Sequence, residues 1–282
     1  MARGVVISTD STSDFLPEML ERFRIEVIPL TVQLGEDVYL DGVSFNTDML
    51  FERYEKDRLL PVTSAPSLHQ YMDYFSRFVN EGYEVVHFSI SSELSSAYST
   101  ATLAAEELGG VYTVNTRELS NGISLFAIEA AACRDRGMPA AEIVEHITPM
   151  LGTEDVSIII DTLEFMWKGG RCSGVAALGA NLLKLKPSME MRDGKLEITK
   201  KYRGKVAAAY RQYIQERLSG KRIRNGYVFL TQSGGLDEAL IAELDELIYS
   251  INDKVEILHS RTGCTVSSHC GPKTLGLGFF TE

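Results

Sequence analysis

Along the first 160 residues, short apolar runs alternate with stretches of helical spacing, and that alternation leaves few folds open. The run "GVVIS" (4–8) precedes a polar turn and Pro17, which suits the first turn of a helix. A second strand region is expected over 26–34, and a small hairpin over 35–42, where glycines bound a short alternation. Asn46 is placed to cap a helix running to about Arg58, and Pro61 and Pro66 mark 59–67 as a loop. A helix from about Ser67 to Asn80, a strand at 84–90, a helix to about Leu108 and a strand at 111–114 follow. Residues 121–134 are apolar nearly all round, as a helix covered on every side would be, and another helix covers about 140–150. Strands separated by helices imply right-handed parallel crossovers, hence an α/β layer.

The second half opens with a strand at 155–161 and helical stretches across 162–184. Residues 186–200 read as a β-hairpin turning at Asp193-Gly194. A helix (205–218), a strand (226–232), a helix with a leucine and isoleucine stripe (235–251), a strand (254–259) and a Gly-rich tail complete the chain. The expected organisation is two α/β domains. Residues 1–155 would hold a mainly parallel sheet with the small hairpin near 35–42, and 156–282 the second domain with the hairpin near 186–200.

At 282 residues, with 44% hydrophobic and 24% charged residues, the chain can bury a sizeable core and an internal cavity. No stretch has the apolar length of a membrane span, and the N-terminal apolar run is too short for a secretory signal, so a cytoplasmic protein is expected. Cys133, Cys172, Cys264 and Cys270 form no C-x-x-C pair, so neither disulfides nor a metal site is expected. The net charge of −11 argues against nucleic acid as a partner. The charge is uneven: residues 162–224 hold 15 Lys and Arg against 5 Asp and Glu. Such a region is either a solvated basic face or a docking surface for an acidic or phosphate-bearing partner.

No G-x-S-x-G elbow, P-loop or H-E-x-x-H motif is present, and "LGLG" (275–278) lies too near the C-terminus to open a dinucleotide-binding unit. What recurs instead is hydroxyl-rich strand ends: "STDSTSD" (8–14), "VTSAPS" (62–67) and "ISSELSSAYST" (90–100). In an open parallel sheet, ligands sit outside the carboxyl ends of strands, where helix N-termini favour an anion. Hydroxyls there make a neutral cradle for a carboxylate or phosphate; equally, each segment could simply cap the helix that follows. A serine nucleophile is a further reading. Its base would be His269, since His87 lies mid-strand and faces one side of the sheet.

These segments resemble the DegV family of bacterial fatty-acid-binding proteins. The resemblance rests on "TDSTSD" (9–14), "TSAPS" (63–67), "ISSELSSAY" (90–98), "DTLEFMWKGGR" (161–171), "LLKLKP" (182–187) with "DGK" (193–195), and "SSHCGPKTLGLGFF" (267–280). They occur in family order and span nearly the whole chain. The resemblance implies one long-chain fatty acid in an internal apolar tunnel, with its carboxylate at the domain interface and no other cofactor. By position it assigns the carboxylate to Thr63, Ser64, Ser92, Ser95 and His269. It also implies a separate kinase that converts the presented carboxylate to an acyl phosphate, with Arg171 and Arg203 facing that partner, and no catalytic residue in this chain. The alternative is a Ser/His-dependent acyl hydrolase or acyltransferase using Ser95 and His269. The chain departs from the family's pattern at Ala65, at Ser96 and at Lys273. If the Ser96 position requires a positive φ, serine would be strained there.

Overall fold

The computed structural model describes residues 4–173 and 185–282. In chain order the first half contains β1 (Gly4–Asp10), α1 (Pro17–Phe23), β2 (Ile25–Ile28), β3 (Thr31–Leu34), β4 (Asp37–Leu40), α2 (Thr47–Asp57) and β5 (Val62–Ser64). It continues with α3 (Leu68–Val79), β6 (Tyr83–Ser89), α4 (Ala97–Leu108), β7 (Val111–Asn115), α5 (Asn121–Asp135) and α6 (Ala140–Ile147). Local chemistry sets many of these limits. Pro17 stands in the first turn of α1, Asn46 accepts from the Met49 amide to cap α2, and Ser67 with Gln70 forms a capping box on α3.

As the alternation requires, β2-β1-β6-β7 form a parallel sheet. The expected strand over 26–34 is two strands in different sheets, β2 and β3. The small hairpin is β3 with β4, turning at Gly35-Glu36, so its first strand precedes the expected span 35–42. The loop 59–67 contains β5, which pairs with β3 and completes a small antiparallel sheet.

The second half contains β8 (Glu154–Ile159), α7 (Glu164–Gly169), β9 (Cys172–Ser173), β10 (Leu185–Arg192), β11 (Lys195–Arg203), α8 (Val206–Leu218) and β12 (Ile223–Gln232). It ends with α9 (Glu238–Ile251), β13 (Glu256–Arg261), α10 (Cys264–Cys270) and β14 (Leu275–Thr281). The sheet is mixed, in the order β13-β12-β14-β8-β10-β11-β9. Of the helical stretches expected over 162–184, α7 covers 164–169, Cys172–Ser173 pairs with β11, and 174–184 lie outside the described residues. The β10–β11 hairpin turns at Asp193-Gly194 as expected.

The Gly-rich tail is the clearest departure: it supplies α10 and an inner strand of the large sheet, β14. Side chains alternate along a strand. Leu275, Leu277 and Phe279 face the cluster that includes Tyr213 and Leu244 of α8 and α9. Gly276 and Gly278 face the other way, toward α5. A Cβ on Gly278 would stand 2.4 Å from Asn121 Oδ1, so the glycines give the start of α5 its seat against the sheet.

α5 explains its own composition. It packs against β1 and β6 on one side and β8 and β14 on the other, and it is buried along most of its length. One apolar cluster therefore runs from Ile7 and Phe88 through Phe126 to Ile158 and Phe280, with members on both sides of residue 155. Each fully buried side chain of this size contributes about 1.5–3 kcal/mol. Among the described residues, no helix is long and apolar enough to cross a membrane.

Candidate functional site

A cavity of about 290 Å³ opens between the two halves. From the first half its wall takes Leu30, the β5 segment Thr63-Ser64-Ala65, Ile90, Leu94-Ser95-Ser96 and Leu119-Ser120. From the second it takes Ile158, Met166, Arg171, Leu196, Thr231, Thr262, Thr265 and Thr274, with Val266 and His269 on α10. Among the described residues the lining has no carboxylate, and Arg171 is its one cation. Such a wall accepts an apolar body with a polar or anionic end.

The polar end is organised around α10. Thr63 Oγ1 lies 3.1 Å from His269 Nε2, joining β5 to this helix. The imidazole is largely buried, and that burial pulls its pKa down to about 4, with the positive Arg171 adding to the shift. The ring is therefore neutral near pH 7, carrying one donor and one acceptor nitrogen. Among the described residues its Nδ1 is buried without a hydrogen-bond partner, and no carboxylate orients it. The ring abuts the backbone of Gly169, where a Cβ would stand 2.2 Å from Nδ1. Arg171 donates to the Gly169 carbonyl at 2.9 Å and is exposed at the cavity wall.

Ser95 both caps and lines. Its Oγ accepts from the Ala97 amide at 3.2 Å, satisfying an N–H at the start of α4, while its side chain faces the cavity. A hydroxyl that accepts still has a proton to donate. Ser95 and His269 each bond elsewhere, so the nucleophile–base pair of the hydrolase reading is not assembled.

Ser92 stands apart from the other expected residues. It does not line the cavity: it is exposed, and Asn115 Nδ2 donates to its Oγ at 2.8 Å. The turn between β6 and α4 directs Ser95 inward and Ser92 toward the end of β7. Thr63, Ser64, Ser95 and His269 come together in one wall. Arg203 does not join them. It is exposed at the far end of β11 from Leu196, the residue paired with Cys172, and seven strand residues at ~3.3 Å each separate the two by about 23 Å.

Segment 8–14, grouped by its hydroxyls with the other two, also lies outside the wall. Its role is to hold the wall up. Asp10 accepts from the Thr12 and Ile90 amides, tying the ends of β1 and β6 together. Asp14 accepts from the Gly263 amide at 2.7 Å and from Ser120 Oγ at 2.5 Å. Asp41 accepts from the amides of Cys264 and Thr265 at 2.6 and 3.1 Å, and from Ser11 Oγ. Two carboxylates thus cap the start of α10 from the first half of the chain. Burial raises the pKa of all three, although their hydrogen bonds oppose it.

Ser96 carries no strain, at φ −79°. The positive φ falls on Lys273 instead, at 59°, where its amide bonds the Gly234 carbonyl at 2.8 Å and its side chain is exposed, away from the cavity. Ser120 was missed, as were Thr231, Thr262 and Thr274. The hydroxyl density that drew attention to 90–100 also runs through 260–274, and would have found the last two. His87, as expected, faces one side of its sheet; it is buried, with Nδ1 2.9 Å from Ser8 Oγ.

A family model described as "Uncharacterised protein, DegV family" matches residues 4–282. A DegV domain-containing protein of Deinococcus radiodurans is 30% identical over 283 residues, covering 97% of each chain. Among solved structures, a DegV family protein from Thermus thermophilus, described for its fatty acid binding, superposes with a TM-score of 0.87 at 27% identity over 100% of both chains. A Thermotoga maritima protein, described as revealing a fatty acid binding function, gives 0.82 at 25% identity over 99% of both chains. With the family model matching nearly the whole chain and the fold superposing over the full length of these structures, the chain belongs to the DegV family.

Proposed function

We propose that this protein binds one long-chain fatty acid, its alkyl tail in the apolar cavity and its carboxylate against Thr63, Ser64, Ser95 and His269. The observation that carries the reading is the wall itself: Ser and Thr residues from both halves of the chain line a largely apolar cavity that has no lining carboxylate among the described residues. Relatives of the same fold that are described as binding fatty acids support it.

The division of labour follows from magnitudes. Burying about fifteen methylenes at about 0.8 kcal/mol each contributes roughly 12 kcal/mol before the costs of association. The tail supplies affinity, and the hydroxyls choose and orient the head. Thr63 donates its proton to the carboxylate when the imidazole donates to Thr63, so His269 acts by setting the direction of that hydroxyl.

The role extends to a carrier. A separate kinase would transfer the γ-phosphoryl group of ATP to a carboxylate oxygen, giving an acyl phosphate and ADP, while this chain supplies no catalytic group. Arg203 faces the partner in this reading. Arg171, at the cavity wall, serves both the partner and the carboxylate. The test is a competition assay on delipidated protein: palmitate or oleate should bind far more tightly than its methyl ester. Equal affinity would remove the carboxylate site, and no binding of either would remove the proposal.

A further inference from the structure

We propose that Glu129, Cys133 and His146 form a zinc-binding site outside the main cavity. Glu129 and Cys133 are one turn apart on α5 and share a face. His146 comes from α6, which packs against it. One donor atom from each lies within 4.8 Å of the other two, and no other set of three such groups meets this closely among the described residues. His146 Nε2 is 2.9 Å from Glu129 Oε1. Thiolate, imidazole and carboxylate are zinc's ligand types, and three protein ligands leave a fourth position for water or an exchangeable group.

The surroundings fit a metal site. Glu129 lends one oxygen to the cluster, while the other accepts from Asn225 Nδ2 at 2.6 Å, which holds the carboxylate in place as an outer-sphere partner does. Asn225 reaches it from left-handed backbone, φ 65°, inside the irregular stretch of β12 between Arg224 and Phe229. Irregularities of this kind re-aim side chains. Solvent access runs along His146, whose side chain is 33% exposed, while that of Glu129 is 14% exposed. The cation nearest the thiol is Arg136, with Nη2 3.0 Å from Cys133 Sγ. Arg136 is exposed at the end of α5, so its guanidinium can return to water when a metal takes the sulfur. Binding then sends the thiol proton to solvent. The metal would clamp α5 to α6 and, through Asn225, to β12. Cys133 and His146 are thirteen residues apart and belong to no zinc motif, so only the packing of the two helices reveals the site.

The test uses tag-free, full-length protein stripped of metal and titrated anaerobically with cobalt(II), then with zinc(II). One cobalt per chain should bind with a near-ultraviolet thiolate-to-cobalt band, and one equivalent of zinc should displace it. Cys133→Ser should lose the band. His146→Gln, at a partly exposed position, should remain folded by circular dichroism and bind zinc at least about tenfold more weakly. Asn225→Gly, which keeps the left-handed backbone available, should weaken zinc by about ten- to a hundredfold. No band in the folded wild-type protein, or unchanged zinc affinity in folded His146→Gln, overturns the proposal.

Discussion

Thr63 Oγ1 and His269 Nε2 lie 3.1 Å apart although 206 residues separate them in the chain. The contact joins the edge of the small sheet to α10, whose first turn is capped by Asp14 and Asp41. The polar end of the cavity is therefore built from distant parts of the chain, and its properties follow from how tightly these parts are packed.

The buried imidazole gives a pH signature. His269 titrates near 6.5 in the unfolded chain and at about 4 when folded. Between those values the unfolded state binds more protons. The His269 contribution is thus intact above about pH 6.5 and is lost as pH falls through that window, by about 3 kcal/mol at pH 4. Urea unfolding of wild type and His269→Gln at pH 7 and pH 4 isolates it, because His87 and the buried aspartates are present in both. The stability difference between the two proteins should shift by that amount in favour of the variant at pH 4. A difference independent of pH would contradict the burial of a neutral ring.

Gly169 is where the His269 ring meets backbone. A Cβ there would approach Nδ1 to 2.2 Å, so Gly169→Ala must displace the imidazole. The expected cost is about 1–3 kcal/mol in denaturant unfolding, accompanied by weaker fatty acid binding. Normal affinity in the variant would separate His269 from the head-group site.

Ser92 and Ser95 come from one hydroxyl-rich segment and have opposite placements. Ser95→Ala should weaken carboxylate binding by about ten- to a hundredfold, the scale of a hydrogen bond to a charged group. Ser92→Ala should stay within about twofold of wild type, as an exposed substitution does. The competition assay with palmitate distinguishes them, and the reverse order would reassign the head group.

Much of the fold was legible because its signals are local. Asn46 and Ser67 cap the helices expected of them, Asp193-Gly194 turns its hairpin, and the all-round apolar character of 121–134 reports a helix between two sheets. Signals that depend on distant partners were not legible. β5 becomes a strand only because β3 offers an edge, and the glycines of β14 are accommodated only because Asn121 fills the space beside them. The site divides the same way. Hydroxyl density marked Thr63, Ser64 and Ser95, but could not tell Ser92, turned toward Asn115, from Ser95, nor show that the aspartates and hydroxyls of "STDSTSD" bond within the protein outside the cavity wall.

The two glycines of β14 differ measurably. A methyl group on Gly278 would meet Asn121 Oδ1 at 2.4 Å, whereas one on Gly276 meets its nearest neighbour at 3.3 Å. Gly278→Ala should cost about 1–3 kcal/mol and Gly276→Ala markedly less. Equal costs in urea unfolding would show that the seat of α5 does not depend on that contact.

The central claim is that the cavity holds one long-chain fatty acid. Denaturing extraction of freshly purified protein, followed by mass spectrometry, measures this directly. The account predicts about one long-chain fatty acid per chain, retained through purification because the tail is buried. A protein that releases no lipid, and takes up neither palmitate nor oleate when they are added, would contradict it.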